Sequence, residues 1–147
     1  MIVRDIMTNN LAQVTPQATV YEAAQLMQKH NIGSVPVCDN NNVVGILTDR
    51  DIVVRNIANG TDPKTAKVQD VMSSNVATVT SDTDIREVGK VMADKQVRRI
   101  PVVDNGMLVG MVAMGDLAVN GMYDMEIAES LAEISMPSKP ENMPNQN

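Results

Sequence analysis

The segment Gly45-Ile46-Leu47-Thr48-Asp49-Arg50-Asp51 carries an apolar strand into a helix start, with a hydroxyl and a carboxylate three residues apart. Two kinds of chemistry suit that spacing. A helix N-terminus offers unpaired N–H groups and a positive dipole end that favour a phosphate oxygen, and the Thr48 hydroxyl adds a donor. Asp51 can accept two hydrogen bonds from a vicinal diol such as ribose. The same pair also fits a capping box, in which hydroxyl and carboxylate satisfy the helix itself, and for this segment alone the cap is the stronger reading. A second elbow, Gly110-Met111-Val112-Ala113-Met114-Gly115-Asp116, has lost the hydroxyl at Ala113 yet keeps Asp116. A carboxylate retained without its capping partner favours a ligand.

Positive charge near the elbows bears on phosphate recognition. Arg98 and Arg99 stand where the earlier copy has Gly33 and Ser34. One of them is expected to neutralise phosphate at the Asp116 elbow in place of the missing threonine, since a guanidinium binds phosphate bidentately. Strand alternation sends the two to opposite faces, so only one should serve. Arg50 and Arg55 read as a solvated helix face. Between them Ile52 and Val53 give that helix a side to bury. His30, the sole histidine, suits a helix C-terminus better than a base, and Cys38 reads as a small core side chain rather than a nucleophile.

The elements that must position these residues come from an internal duplication. At an offset of 65, residues 3–54 align with 68–119 without a gap, and 17 of the 52 positions are identical. Short strands are predicted at Leu11 to Val14 and Val76 to Val79, followed by helices that open at Thr19 and Asp84 with a glutamate three residues on. The hairpins Ser34 to Leu47 and Arg99 to Val112 turn at Asp39 to Asn42 and Asp104-Asn105-Gly106. A second helix closes each copy. The expected fold is α+β, two β-α-β-β-α repeats packed through their sheets about a pseudo-two-fold axis, with two clefts at the junction. The division is 1–60 for repeat 1, 61–67 for the linker, 68–122 for repeat 2, 123–135 for an amphipathic helix carrying Ile127, Leu131 and Ile134, and 136–147 for a disordered tail.

Composition narrows the function classes. The chain has 147 residues, a net charge of −6 and 1% aromatics, Tyr21 and Tyr123 alone, so twelve Met help to fill the core. Stacking platforms for bases are excluded, and the acidic balance argues against nucleic acid as a principal partner. No apolar run reaches the length of a membrane span and no secretory leader is evident, so a cytoplasmic protein is expected. No convergent set of nucleophile, base and metal ligands exists: there is no CxxC, no HExxH and no GxxxxGK[ST]. Enzyme activity and a metal site are not expected.

The chain resembles the CBS domain pair, or Bateman module, named from cystathionine β-synthase. The carriers are Asp5-Ile6-Met7 with Asp70-Val71-Met72, Val14-Thr15-Pro16 with Val79-Thr80-Ser81, Val35-Pro36-Val37-Cys38-Asp39 with Ile100-Pro101-Val102-Val103-Asp104, and both elbows. The resemblance implies that Asp51 and Asp116 accept ribose hydroxyls and that Thr48 donates to phosphate. It places Val14, Thr15, Val35 and Pro36 around one base, and Val79, Thr80, Ile100 and Pro101 around the other. It also implies a homodimer. The expected function is a regulatory module that needs no cofactor, binds AMP, ADP, ATP, S-adenosylmethionine or NAD, and acts in trans on another protein. The alternative is an interaction or scaffolding module with vestigial clefts, acting through its dimer face or its acidic C-terminal tail.

Overall fold

A computed structural model describes residues 1–9, 12–121 and 124–136. Helix α1 (Val20–His30) starts where the Thr19 side chain accepts the Glu22 N–H at 3.1 Å, buries Val20, Ala23 and Met27, and ends at left-handed Asn31. Strands β1 (Ser34–Asp39) and β2 (Asn42–Thr48) follow as an antiparallel hairpin. Its turn uses Asn40 and Asn41 at φ 51° and 67°, a region asparagine tolerates. Helix α2 (Asp49–Asp51) then widens into a π-helical segment, Ile52–Ile57.

Repeat 2 follows the same plan. Asp84 caps α3 (Ile85–Lys95), β3 (Arg99–Asp104) and β4 (Met107–Ala113) pair antiparallel, and α4 (Met114–Asn120) closes the unit. The α+β class and the repeated plan match expectation. The first strand of each copy is reduced to a single parallel bridge, Val14 with Val37 and Val79 with Val102, and Leu11 lies outside the described residues.

What joins the repeats is an exchange of their opening segments. Val3, flanked by Ile6 and Met7, is buried in the core of repeat 2 with Val88, Met92 and Ile100. Val68 and Val71 are buried in the core of repeat 1 with Val20, Ala23 and Leu47, and partly buried Met72 packs against it. Backbone pairing fixes both segments: Thr8 and Met111 exchange hydrogen bonds at 2.9 and 3.0 Å, as do Ser73 and Ile46 at 3.0 Å each. Each copy as counted along the chain therefore completes the other copy's core.

The two glycines that open the elbows make the exchange possible. A Cβ on Gly45 would fall 2.5 Å from Met72 Sδ and 2.9 Å from the Ser73 carbonyl oxygen, and one on Gly110 would fall 2.6 Å from Met7 Sδ. Both glycines are retained because a methionine of the other repeat lies against them.

Helix α5 (Met125–Ile134) buries Ile127 and Ile134 against α3 and α4. It comes close because Gly89 and Gly121 carry no side chain: a Cβ on Gly89 would meet Ser130 Oγ at 3.0 Å, and one on Gly121 would overlap Ile127. Residues 137–147, most of the expected tail, lie outside the described residues, as does Tyr123. Among the described residues the matching face of repeat 1 carries no such helix. The π-helical winding leaves Val53, expected to be buried, 59% exposed, together with Val54 and Ile57. Ile52 does pack on the core, and Asn56 is wholly buried.

Repeat 2 also has a polar clamp. Asp104 accepts the Ser81 N–H at 3.0 Å and the Ser81 hydroxyl at 2.6 Å, while Arg4 of the exchanged segment donates to that hydroxyl at 3.1 Å. The Ser81 hydrogen bonds hold the Asp104 carboxyl below its ordinary pKa. Because the folded chain holds that proton less tightly than the unfolded chain, the clamp stabilises at neutral pH and fades as pH falls below about 4. Urea midpoints measured from pH 6 down to pH 3 should fall less steeply for Asp104→Asn than for the parent chain.

Replacing Gly45 by Val should lower stability by about 1–3 kcal/mol through overpacking against Met72, read as a reduced urea midpoint at unchanged slope. A midpoint equal to the parent's would contradict the close approach.

Candidate functional site

At the Thr48 elbow the side chains first satisfy the helix. Thr48 Oγ1 accepts the Asp51 N–H at 3.0 Å, and Asp51 Oδ2 accepts the Thr48 N–H at 3.0 Å. The Asp49 N–H is bound by the Gly33 carbonyl at 2.9 Å and the Arg50 N–H by Asp49 Oδ1 at 2.8 Å. The first three N–H groups of this helix therefore have acceptors, and the expected unpaired donors for phosphate are used internally.

The Asp116 elbow corrects a second inference. Asp116 Oδ2 accepts the Ala113 N–H at 2.7 Å. This half of the capping box needs only a backbone donor, so the cap by itself accounts for Asp116 beside an alanine. Retention of the carboxylate is no separate argument for a ligand.

Both elbows open onto clefts at the repeat junction. The larger, about 620 Å³, holds Thr48 and Asp51 of repeat 1 and draws its opposite wall from repeat 2, through Ser73, Ala77 and Val97. The smaller, about 270 Å³, holds Ala113 and Asp116 of repeat 2 and draws its wall from repeat 1, through Thr8, Ala12 and Ile32. Shifting each residue of one wall by 65 gives the other wall. The clefts are thus pseudo-two-fold mates, and each needs both repeats.

Charge divides them. The Thr48 cleft is lined by four cations, Arg50, Lys95, Arg98 and Arg99, against two carboxylates, Asp49 and Asp51. The Asp116 cleft has Arg99 and His30 with Asp116. The expectation that Arg98 or Arg99 compensates at Asp116 is corrected in part. Arg98 lines only the Thr48 cleft, Arg99 lines both, and both arginines lie on the Thr48 side despite strand alternation. Arg98 precedes the first residue of β3, where alternation does not yet constrain it.

Of the residues assigned to cradle the bases, Pro36 alone lines a described cleft. Val35 and Ile100 are fully buried in their own repeats, and Val14 and Val79 lie in the cores beside Val37 and Val102. Pro101 is buried, and Thr15 and Thr80 are exposed outside both clefts. Thr80 is engaged with Asp82 and Thr83 instead.

The sequence reading missed Thr8, Ala12, Ser73 and Ala77, which line the clefts because the opening segments cross over, and Lys95, which the C-terminal end of α3 brings to the Thr48 cleft. His30 does end α1, as expected, but it also lines the Asp116 cleft. Arg55 is exposed, as expected of a solvated helix face, and it also donates to the Val71 and Met72 carbonyls at 3.4 and 3.3 Å and lies 3.8 Å from Asp51, fastening the elbow to the exchanged segment. Cys38 is buried, and desolvation pushes its thiol pKa up, away from nucleophilic use. Among the described residues no three His, Cys, Asp or Glu come together as metal ligands, and no helix is long and apolar enough to cross a membrane.

A model of the CBS domain matches residues 3–56 and, a second time, residues 68–120. The chain belongs to the CBS domain family. It is similar to the CBS domain-containing protein YhcV of Bacillus subtilis, 43% identical over 133 residues that cover 90% of this chain and 94% of that protein. Hypoxic response protein 1 of Mycobacterium tuberculosis is 40% identical over 116 residues, covering 78% of this chain and 81% of the relative. A crystal structure of Hypoxic Response Protein I with two coordinated zinc ions matches at TM-score 0.74 and 39% identity, over 81% of this chain and 98% of that one. A CBS domain pair in complex with 5′-methylthioadenosine and S-adenosyl-L-methionine matches at TM-score 0.73 and 28% identity, over 81% and 94%. These matches cover most of each matched chain's length, so the likeness is to the CBS pair, a regulatory module.

The cap geometry predicts opposite effects at the two elbows of the ligand-free CBS pair. Thr48→Ala should cost about 1 kcal/mol, and Ala113→Thr should gain a similar amount by completing the second box. Chemical denaturation without added ligand reads both.

Proposed function

We propose that this CBS pair binds an adenosyl compound in its junction clefts and converts occupancy into a change in how modules pack. The observation that carries this reading is the pair of clefts itself, each with an elbow aspartate facing small and apolar side chains of the other repeat. The larger has a volume usual for a small-molecule site. Asp51 and Asp116 are the ribose acceptors in this reading, through the lone pairs that their caps leave free. Thr48, with Arg98 and Arg99, faces phosphate, and Pro36 meets a base in the Asp116 cleft. The solved CBS pair with two adenosyl ligands supports the ligand class.

Because each cleft is built from both repeats, a ligand that spans it favours one relative placement of the repeats. Such a bias is the only way binding can shift an equilibrium. We place the chain as a cytoplasmic homodimer that acts in trans on another protein. The apolar stripe of α5 is spent on α3 and α4 and is not offered to a partner.

Thermal unfolding with AMP, ADP, ATP, S-adenosylmethionine and NAD tests the proposal. At 100-fold excess over Kd, a true ligand adds about 2.7 kcal/mol and raises Tm by several degrees. Asp51→Asn with Asp116→Asn keeps the cap acceptor but removes a ribose acceptor, and should weaken that ligand about tenfold. No shift with any of the five, or undiminished binding in the double variant, would sink the reading.

A further inference from the structure

Arg99 and Ser34 occupy equivalent places in the two repeats, and each lines both clefts. They therefore flank the pseudo-two-fold axis. At this shared place one repeat offers a neutral hydroxyl and the other a guanidinium. The consequence is unequal, because Arg50, Lys95 and Arg98 supply the Thr48 cleft with cations of its own, whereas among the described residues Arg99 is the only arginine or lysine lining the Asp116 cleft. Among the described residues Arg99 takes part in no ion pair, and its side chain is exposed, so it is available to either side.

We propose that Arg99 is a single cation shared by the two clefts, so that an anionic group held in the Thr48 cleft withdraws it and weakens binding of a phosphate-bearing ligand in the Asp116 cleft. The inference rests on the adenosyl reading above and adds a coupling between the sites. A guanidinium engaged bidentately with one phosphate cannot offer the same fork to a second. With Arg99 drawn away, the Asp116 cleft retains a carboxylate and His30, a setting suited to an adenosyl compound without phosphate. By linkage, phosphate bound first at Asp116 weakens anion binding in the Thr48 cleft by the same factor.

Site-resolved amide NMR of the full chain tests this, with the Thr48 and Asp51 amides reporting one cleft and the Ala113 and Asp116 amides the other. Saturating the Thr48 cleft with inorganic pyrophosphate should weaken AMP at the Asp116 amides by about tenfold, and leave 5′-methylthioadenosine, which lacks phosphate, unchanged there. In Arg99→Ser, which gives both repeats the same residue at the axis, AMP should bind the Asp116 cleft more weakly from the outset and pyrophosphate should have no further effect. Arg98→Ser, confined to the Thr48 cleft, should keep the coupling. A pyrophosphate effect that persists in Arg99→Ser, or is absent from the parent chain while AMP occupies the Asp116 cleft, overturns the shared-cation proposal and leaves the adenosyl reading standing. Silence of both clefts toward AMP and 5′-methylthioadenosine overturns both.

Discussion

The close approach of Met72 to Gly45 and of Met7 to Gly110 is the constraint on which the rest of this CBS pair depends. Each repeat has a small sheet and two helices, too little to bury its apolar residues alone. The exchanged segments supply the missing side chains, Val3 to one core and Val68 to the other. Their backbones also pair with β4 and β2 beside the elbows, which fixes where Asp116 and Asp51 face. Core completion and cleft formation are thus one packing event, and a substitution that loosened the methionine contact would disturb both.

The elbows divide their work between folding and recognition. Capping uses a lone pair of the Thr48 hydroxyl, whose proton stays free to donate, and one oxygen of each aspartate. At Thr48 the cap, Asp49 and the Gly33 carbonyl together leave no idle N–H in the first turn. A ligand at these positions meets groups already ordered by their own helix, so the ordering cost is met in folding. The same economy shifts the handling of negative charge away from backbone donors and toward Arg98, Arg99 and Lys95, which no cap restrains.

The sequence displayed the plan of the fold because the signals were local and duplicated: Thr19 and Asp84 at helix starts, Asn-rich and Asn-Gly turns, and stripes such as Val20, Ala23 and Met27. Both elbows were visible for the same reason. What stayed hidden depends on packing between distant segments. Nothing near Thr8 or Ala77 in the chain announces that each would wall the other repeat's cleft, and the alternation that buries Val35 and Ile100 says only that one face is covered, not by what. The π-helical winding after Asp51 is likewise invisible, since Ile52 to Ile57 has the composition of an ordinary buried helix. Gly89 and Gly121 did carry a legible signal: their departure from Ala24 and Asn56 marks where α5 lies on one repeat and not on the other.

Clefts built across the junction also govern how the two copies can diverge. After duplication, a change in one copy would ordinarily retune one site and leave its twin as a reserve. Here each half supplies the elbow of one cleft and the wall of its mate, and at Ser34 and Arg99, which line both clefts, a single codon is felt by both. The two sites inherit jointly, and specialisation of one is written partly into the other.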